Sequence, residues 1–102
     1  MAYTKLATVS EIPESGVLAV KVGLTKIVVV REANGAIFAL EDRCSHANVR
    51  LSKGKCSGGE LECPAHGARF DVKTGKNLCL PAVTPVKTYN VQINGDEIMV
   101  EL

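Results

Sequence analysis

Two short segments of the chain each pair a cysteine with a histidine: Cys44-Ser45-His46 and, after sixteen intervening residues, Cys63-Pro64-Ala65-His66. They use both histidines of the protein and two of its four cysteines. Side chains two apart share one face of an extended strand and can converge in a tight loop, so Cys44 and His46 can grip one group as a pair. Cys63 and His66 can do the same across a turn begun by Pro64. Two such loops facing each other present two thiolates and two imidazoles, a set that suits zinc, iron or copper. Ligand type alone leaves the metal open. Gly67, directly after the second pair, lets backbone approach a bound group closely, where amide N–H groups can be donated to sulfur.

The elements that must position these side chains read as β throughout. Val17 to Val22 (VLAVKV) and Lys26 to Glu32 (KIVVVRE) are short and rich in β-branched residues, and Ala36 to Glu41 (AIFALE) follows an Asn34-Gly35 turn of the kind that joins hairpin strands. A second hairpin closes the chain: Thr88 to Ile93, a turn at Asn94-Gly95-Asp96, then Glu97 to Leu102. Tyr89, Val91 and Ile93 alternate with polar neighbours as one buried face requires, and Ile98 with Val100 forms the matching face of the last strand. Between the hairpins, Arg43 to Pro81 holds Gly54, Gly58, Gly59, Gly67 and Gly75 with all four cysteines and both histidines. Only short strands fit there, at Glu60 to Cys63 and Ala68 to Val72. No internal repeat, low-complexity segment or amphipathic helix stands out. The expectation is one all-β domain over residues 1–102, an antiparallel β-sandwich base made from residues 1–42 and 82–102 with a loop-rich insertion at about 43–81.

Composition narrows the function classes. A chain of 102 residues has room for one core and little for a separate substrate pocket. The formal net charge of +1 gives no electrostatic footprint for nucleic acid. No apolar run approaches the roughly 20 residues of a membrane span, and the first residues lack the basic-then-apolar layout of a secretory signal. A cytoplasmic protein is expected. Thiols stay reduced in that compartment, so four cysteines point to metal or redox chemistry before a disulfide scaffold.

The ligand pattern resembles the signature of the Rieske iron–sulfur proteins. "ECPAHGARFDVKTGK" is similar to the second cluster loop and following hairpin of the Rieske ferredoxins that serve bacterial aromatic-ring-hydroxylating dioxygenases (the biphenyl, naphthalene, toluene and carbazole systems). "LPAVTPVKTYNVQINGDEIMVEL" is similar to their proline-containing cluster cover and final strands. The resemblance implies a Rieske fold with a cluster-binding subdomain and one [2Fe-2S] cluster. Cys44 and Cys63 would bind one iron, and His46 and His66 the other. It also implies an electron carrier rather than an enzyme. Its partners would be an NAD(P)H-dependent flavoprotein ferredoxin reductase and a terminal oxygenase of the Rieske non-haem iron type, with no nucleic acid, no membrane and a monomeric state.

Mixed ligation has an electrostatic rationale. Two ferric ions and two sulfides carry a doubly positive core, which two thiolates and two neutral imidazoles leave formally uncharged. A neutral centre accepts an electron more readily than the doubly negative all-thiolate one. Potentials accordingly rise from about −400 mV in plant-type clusters to roughly −150 to +300 mV. Respiratory Rieske proteins carry an additional cysteine in each loop, forming a disulfide, and a serine directed at the cluster. Here Ala47, Asn48, Val49 and Ala65 occupy the matching loop regions, and Gly67-Ala68 replaces the Gly-Ser step. The low end of the range is therefore expected.

Other readings compete. The same four side chains are a structural zinc set, which would make the chain a zinc-stabilised interaction module. The small subunit of an NADH-dependent nitrite reductase has a similar fold, often without ligands. The Rieske domain of an oxygenase large subunit is disfavoured by length, as no mononuclear-iron domain follows Leu102. Cys56 and Cys79 read as small, mostly buried apolar residues, with a disulfide between them disfavoured. Pro81 is expected to shield the cluster from water. Arg50, Lys53, Lys55 and Arg69 flank the loops as a solvated face or, alternatively, a docking patch for an acidic partner.

Overall fold

The longest uninterrupted β-branched run in the sequence, Ile27-Val28-Val29-Val30, dictates the layering of the molecule. In the computed structural model, which describes residues 3–14, 16–43, 49–64, 67–78 and 85–101, all four of these side chains have no exposed surface. Successive side chains of a strand point to opposite faces, so a strand can bury every position only if both faces of its sheet are covered. Ile27 and Val29 join one core cluster with Ala39, Ile98 and Val100; Val28 and Val30 join another with Leu40, Leu61 and Phe70. Each of these side chains contributes about 1.5–3 kcal/mol on full burial.

The sheet that carries this run is four-stranded, built from β2 (Val17–Val22), β3 (Thr25–Arg31), β4 (Ile37–Glu41) and β8 (Thr88–Tyr89) in the order β2-β3-β4-β8. The expected Asn34-Gly35 turn joins the two strands, and the β3–β4 pairing, with Arg31 opposite Ile37 and Ile27 opposite Glu41, makes the loop three residues long, Ala33 to Gly35. Gly35 takes φ +91, and the Asn34 side-chain oxygen accepts the Ala36 amide at 3.0 Å. One face is covered by a three-stranded sheet of β1 (Tyr3–Thr8), β10 (Glu97–Glu101) and β9 (Val91–Asn94), with β10 in the middle. The other face is covered by a second three-stranded sheet, β5 (Lys55–Ser57), β6 (Glu60–Glu62) and β7 (Arg69–Asp71). All paired strands are antiparallel. The all-β, antiparallel expectation therefore holds, with the base sandwich formed by the first two sheets.

The strand expected over Thr88 to Ile93 is two strands. Asn90 interrupts it: β8 pairs with β4 in the central sheet, and β9 pairs with β10 in the outer one. The chain thus changes sheets at Asn90, whose carbonyl accepts the Glu101 amide at 3.0 Å. Ile93, expected in the buried face, is 43% exposed. It pairs opposite the fully buried Ile98, so both lie on the same side of the sheet. β9 is an edge strand, and two residues beyond the partly buried Val91 the central sheet no longer covers it. β1 and β5 were not anticipated, nor were the 3-10 turns at Val9–Glu11 and Leu51–Lys53.

Candidate metal centre

Of the second expected ligand pair, Cys63 follows β6 in the β6–β7 hairpin. Leu61 and Phe70 face each other across the two strands and are fully buried, which fixes the register of a hairpin only three residue pairs long. Cys63 lies one residue past the end of β6. Its amide donates to the Ala68 carbonyl at 2.6 Å, which extends the pairing of the two hairpin strands by one bond. Gly67 has φ +72, a conformation that L side chains rarely adopt. The nearest atom a Cβ there would meet is Glu62 Oε2 at 3.7 Å, ordinary contact, so backbone conformation by itself already calls for glycine. The Cys63 residue is fully buried and packs in the cluster that holds Leu51, Ala68, Phe70, Val72 and Val86. Beyond β7 the chain turns at Gly75, whose backbone is pressed so closely on the Val86 carbonyl that no Cβ fits, and Val86 donates its amide to the Gly75 carbonyl at 2.9 Å. The chain re-entering at Pro85 is thereby held beside the hairpin.

The first expected pair, Cys44 and His46, falls in sequence between β4 and the 3-10 turn at Leu51–Lys53. Asp42, directly after β4, is the one buried charged residue among the described ones, at 1% exposure. A buried carboxylate is tolerable only when its lone pairs are met. Here Oδ1 accepts the Ser52 amide at 2.7 Å, and Oδ2 accepts the Ser52 hydroxyl at 2.7 Å and Arg50 Nε at 3.0 Å. Arg50 Nη2 lies 2.9 Å from the same oxygen. Asp42 also donates its amide to the Lys26 carbonyl at 3.0 Å, tying the group to β3. Asp42 was absent from the residues singled out in the sequence. No spacing rule links an aspartate to an arginine eight residues on and a serine ten on, and nothing in "ALED" distinguishes a buried acid from an exposed one.

Of the expected ligands, Cys63 is placed as described; Cys44, His46 and His66 lie outside the described residues, as do Cys79 and Pro81. Among the described residues no group of three metal-ligating side chains occurs. The surroundings of Cys63 nevertheless fit an iron–sulfur ligand: a buried sulfur residue on a tied loop, lined by apolar side chains that keep water from a thiolate-bound metal. The second described cysteine is different. Cys56, in β5 opposite Leu61, is half-buried, a free thiol, and its pKa is raised by burial and then by the charge of Glu32. It is a protonated space-filler at neutral pH, in line with its expected apolar role.

The basic residues flanking the loops divide. Arg50 is committed to Asp42 and is no free docking charge, although its side chain keeps 38% exposure. Arg69 lies 3.9 Å from Glu60 and 3.7 Å from Glu62 across the hairpin, whereas Lys53 and Lys55 are exposed. No helix among the described residues is long and apolar enough to cross a membrane.

Comparison with known proteins agrees with this geometry. The Rieske [2Fe-2S] domain model matches residues 2–90. The ferredoxin component of the naphthalene 1,2-dioxygenase system of Pseudomonas aeruginosa is 45% identical over 92 residues, 90% of this chain and 88% of that protein. The ferredoxin of carbazole 1,9a-dioxygenase from Nocardioides aromaticivorans IC177 superposes with a TM-score of 0.89 at 35% identity, covering 98% of this chain and 97% of that one. A structure of the complex of reduced oxygenase and oxidized ferredoxin in carbazole 1,9a-dioxygenase contains a chain matching at a TM-score of 0.86 and 30% identity, over 96% of this chain and 91% of that one. A near-full-length match, a shared all-β layering and a buried cysteine on a tied hairpin loop lead to one assignment: the chain belongs to the Rieske [2Fe-2S] domain family, whose cofactor is one [2Fe-2S] cluster.

Proposed function

We propose that the chain is a Rieske ferredoxin that carries single electrons from an NAD(P)H-dependent flavoprotein reductase to a terminal ring-hydroxylating oxygenase in the breakdown of aromatic compounds. It acts as an electron-transfer component and not as a catalyst. The observation that carries this reading is likeness over nearly the whole chain to ferredoxin components of dioxygenase systems, one of them in complex with its oxygenase.

Cys44 and Cys63 hold one iron and His46 and His66 the other, within a cluster-binding subdomain at about 43–81 set into a β base of residues 1–42 and 82–102, the whole being one domain. When bound, the cluster supplies a site that takes up and releases one electron. The protein's own part is to bury Cys63 among Leu51, Phe70 and Val86 and to tie it to Ala68 through a backbone hydrogen bond. The carrier is cytoplasmic and monomeric.

Purified protein tests this directly. Reduction with dithionite should give a rhombic electron paramagnetic resonance signal with a lower average g than all-thiolate clusters show. NADH should reduce the protein only when a flavoprotein reductase is present, and a ring-hydroxylating oxygenase should re-oxidise it. A colourless protein containing zinc overturns the reading.

A further inference from the structure

The Asp42 carboxylate sits where two otherwise independent parts of the molecule meet. On one side its backbone amide is bonded to Lys26 of β3. On the other its oxygens hold Arg50 and Ser52, the residues at which the chain returns from the segment containing Cys44 and His46. Departure and return of that segment are thus clasped by one side chain. The clasp continues towards the second loop. Leu51, adjacent to Ser52, is fully buried in the cluster that contains Cys63. Three residues after Leu51, the Gly54 backbone is so close to the Glu62 carbonyl that any Cβ would collide with it, and Glu62 directly precedes Cys63. A continuous series of tight contacts runs from β3 through Asp42, Ser52 and Gly54 to Glu62 and Cys63.

We infer that Asp42 is a positioning residue for the cluster: by clasping Arg50 and Ser52 it ties the two flanks of the segment that contains Cys44 and His46 to each other and to β3. The inference rests on the ligand assignment above. Asp42 need not touch the metal to act. Outer groups that orient ligands typically change metal affinity about 10- to 100-fold when removed. A purely structural role would lower stability without altering the electronic properties of the bound centre.

Two substitutions separate these roles. Asp42→Asn keeps the size of the side chain but removes its charge and turns an amide NH2 towards the Arg50 and Ser52 donors. Val100→Ala opens a cavity in the core on the far side of the central sheet, away from both loops. In full-length protein purified with its cluster, Asp42→Asn should release iron to a chelator about 10-fold faster or more than wild type. It should also shift the g values of the reduced state and speed amide exchange in residues 43–54. Val100→Ala should lower the melting temperature while leaving g values and exchange in 43–54 as in wild type. Ser52→Ala, which keeps the backbone bond to Asp42, should move the same readouts in the same direction by less, and serves if Asp42→Asn does not fold. Wild-type iron release, g values and exchange in Asp42→Asn, or in Ser52→Ala where it stands in, overturn the inference, as do equal spectroscopic shifts in Val100→Ala. A wild-type protein without any iron–sulfur signal overturns the ligand assignment, and the inference falls with it.

Discussion

Val28 and Val29 are neighbours in β3, equally buried, yet they face two differently made cores. Val29 looks towards β10, where Ile98 and Val100 alternate with more exposed residues and two hairpin turns set the register. The interior of that side is apolar, and its polar side-chain ties, such as Lys5–Glu97 and Asn90–Glu101, lie on the exposed surface. Val28 looks towards the β5–β7 sheet, whose strands are three residues each and whose connections carry Gly54, Gly67 and Gly75 at positions of forced close approach or positive φ. Strands so short bury little area, and a loop-rich layer needs cross-links that the period-2 pattern does not supply. Here they are a buried carboxylate, tied loop ends and, on the proposed assignment, the cluster itself. The division of labour is that one core provides stability and the other provides position.

The sharpest way to break that contrast is to remove a ligand. Cys63→Ser should abolish the iron–sulfur absorption outright while circular dichroism retains the signal of the two base sheets. Simultaneous loss of all β structure would show that the layers do not stand apart. Next in size is a matched pair of core truncations. Phe70→Ala, in the same core cluster as Cys63, should cost about 3–5 kcal/mol and Ile98→Ala about 2–5 kcal/mol in denaturant unfolding. Only Phe70→Ala should also hasten iron loss to a chelator. Equal iron retention in the two variants would mean that the cluster side tolerates repacking as readily as the base.

Much of this division was visible in the residue pattern, and the parts that were not have physical reasons. The turns at Asn34-Gly35 and, one residue later than expected, at Gly95-Asp96 are local chemistry, so the hairpins they close are legible from four or five residues. The Ile27–Val30 run reads as a strand, but its burial on both faces depends on a third layer made of strands too short to announce themselves. Asn90 looks like any polar position of an alternating strand. Its role in transferring the chain between sheets appears only once β8 and β9 have different partners. The Cys-x-His and Cys-x-x-His spacing marks the ligands because chemistry restricts residue type there. Asp42 escapes because its partners arrive from across a loop and any hydrogen-bond donor would have served.

Glycines give a finer comparison. Gly35 and Gly54 both resist substitution, for opposite reasons. Gly35 has φ +91 with open space around it, so Gly35→Ala should cost only the left-handed penalty, about 1–2 kcal/mol. Gly54 has an ordinary φ, but its Cβ would meet the Glu62 carbonyl, and Gly54→Ala should cost about 1–3 kcal/mol through forced backbone shifts. The consequence matters more than the magnitude. Displacing Glu62 moves Cys63, so Gly54→Ala should alter the visible spectrum of the bound protein and Gly35→Ala should not.

The smallest effect concerns the two described cysteines, which lie near each other in sequence and differ in duty. Cys56 has its pKa raised from 9.0 by burial first and by the charge of Glu32 second. A folded-state pKa above the unfolded one means that the folded protein holds the thiol proton more tightly. The associated stability is fully present below the unfolded value and is lost as pH rises through the folded one. Wild type should therefore lose slightly more stability than Cys56→Val between neutral pH and pH values above 9.0, where the unfolded thiol ionises first. Because the residue is only half-buried, the difference is expected to be a fraction of a kcal/mol, read from denaturant midpoints at the two pH values. Cys56→Val should keep its iron at neutral pH. If it instead loses the cluster, Cys56 belongs with the residues that hold position, and the boundary between the two kinds of core must be drawn on its other side.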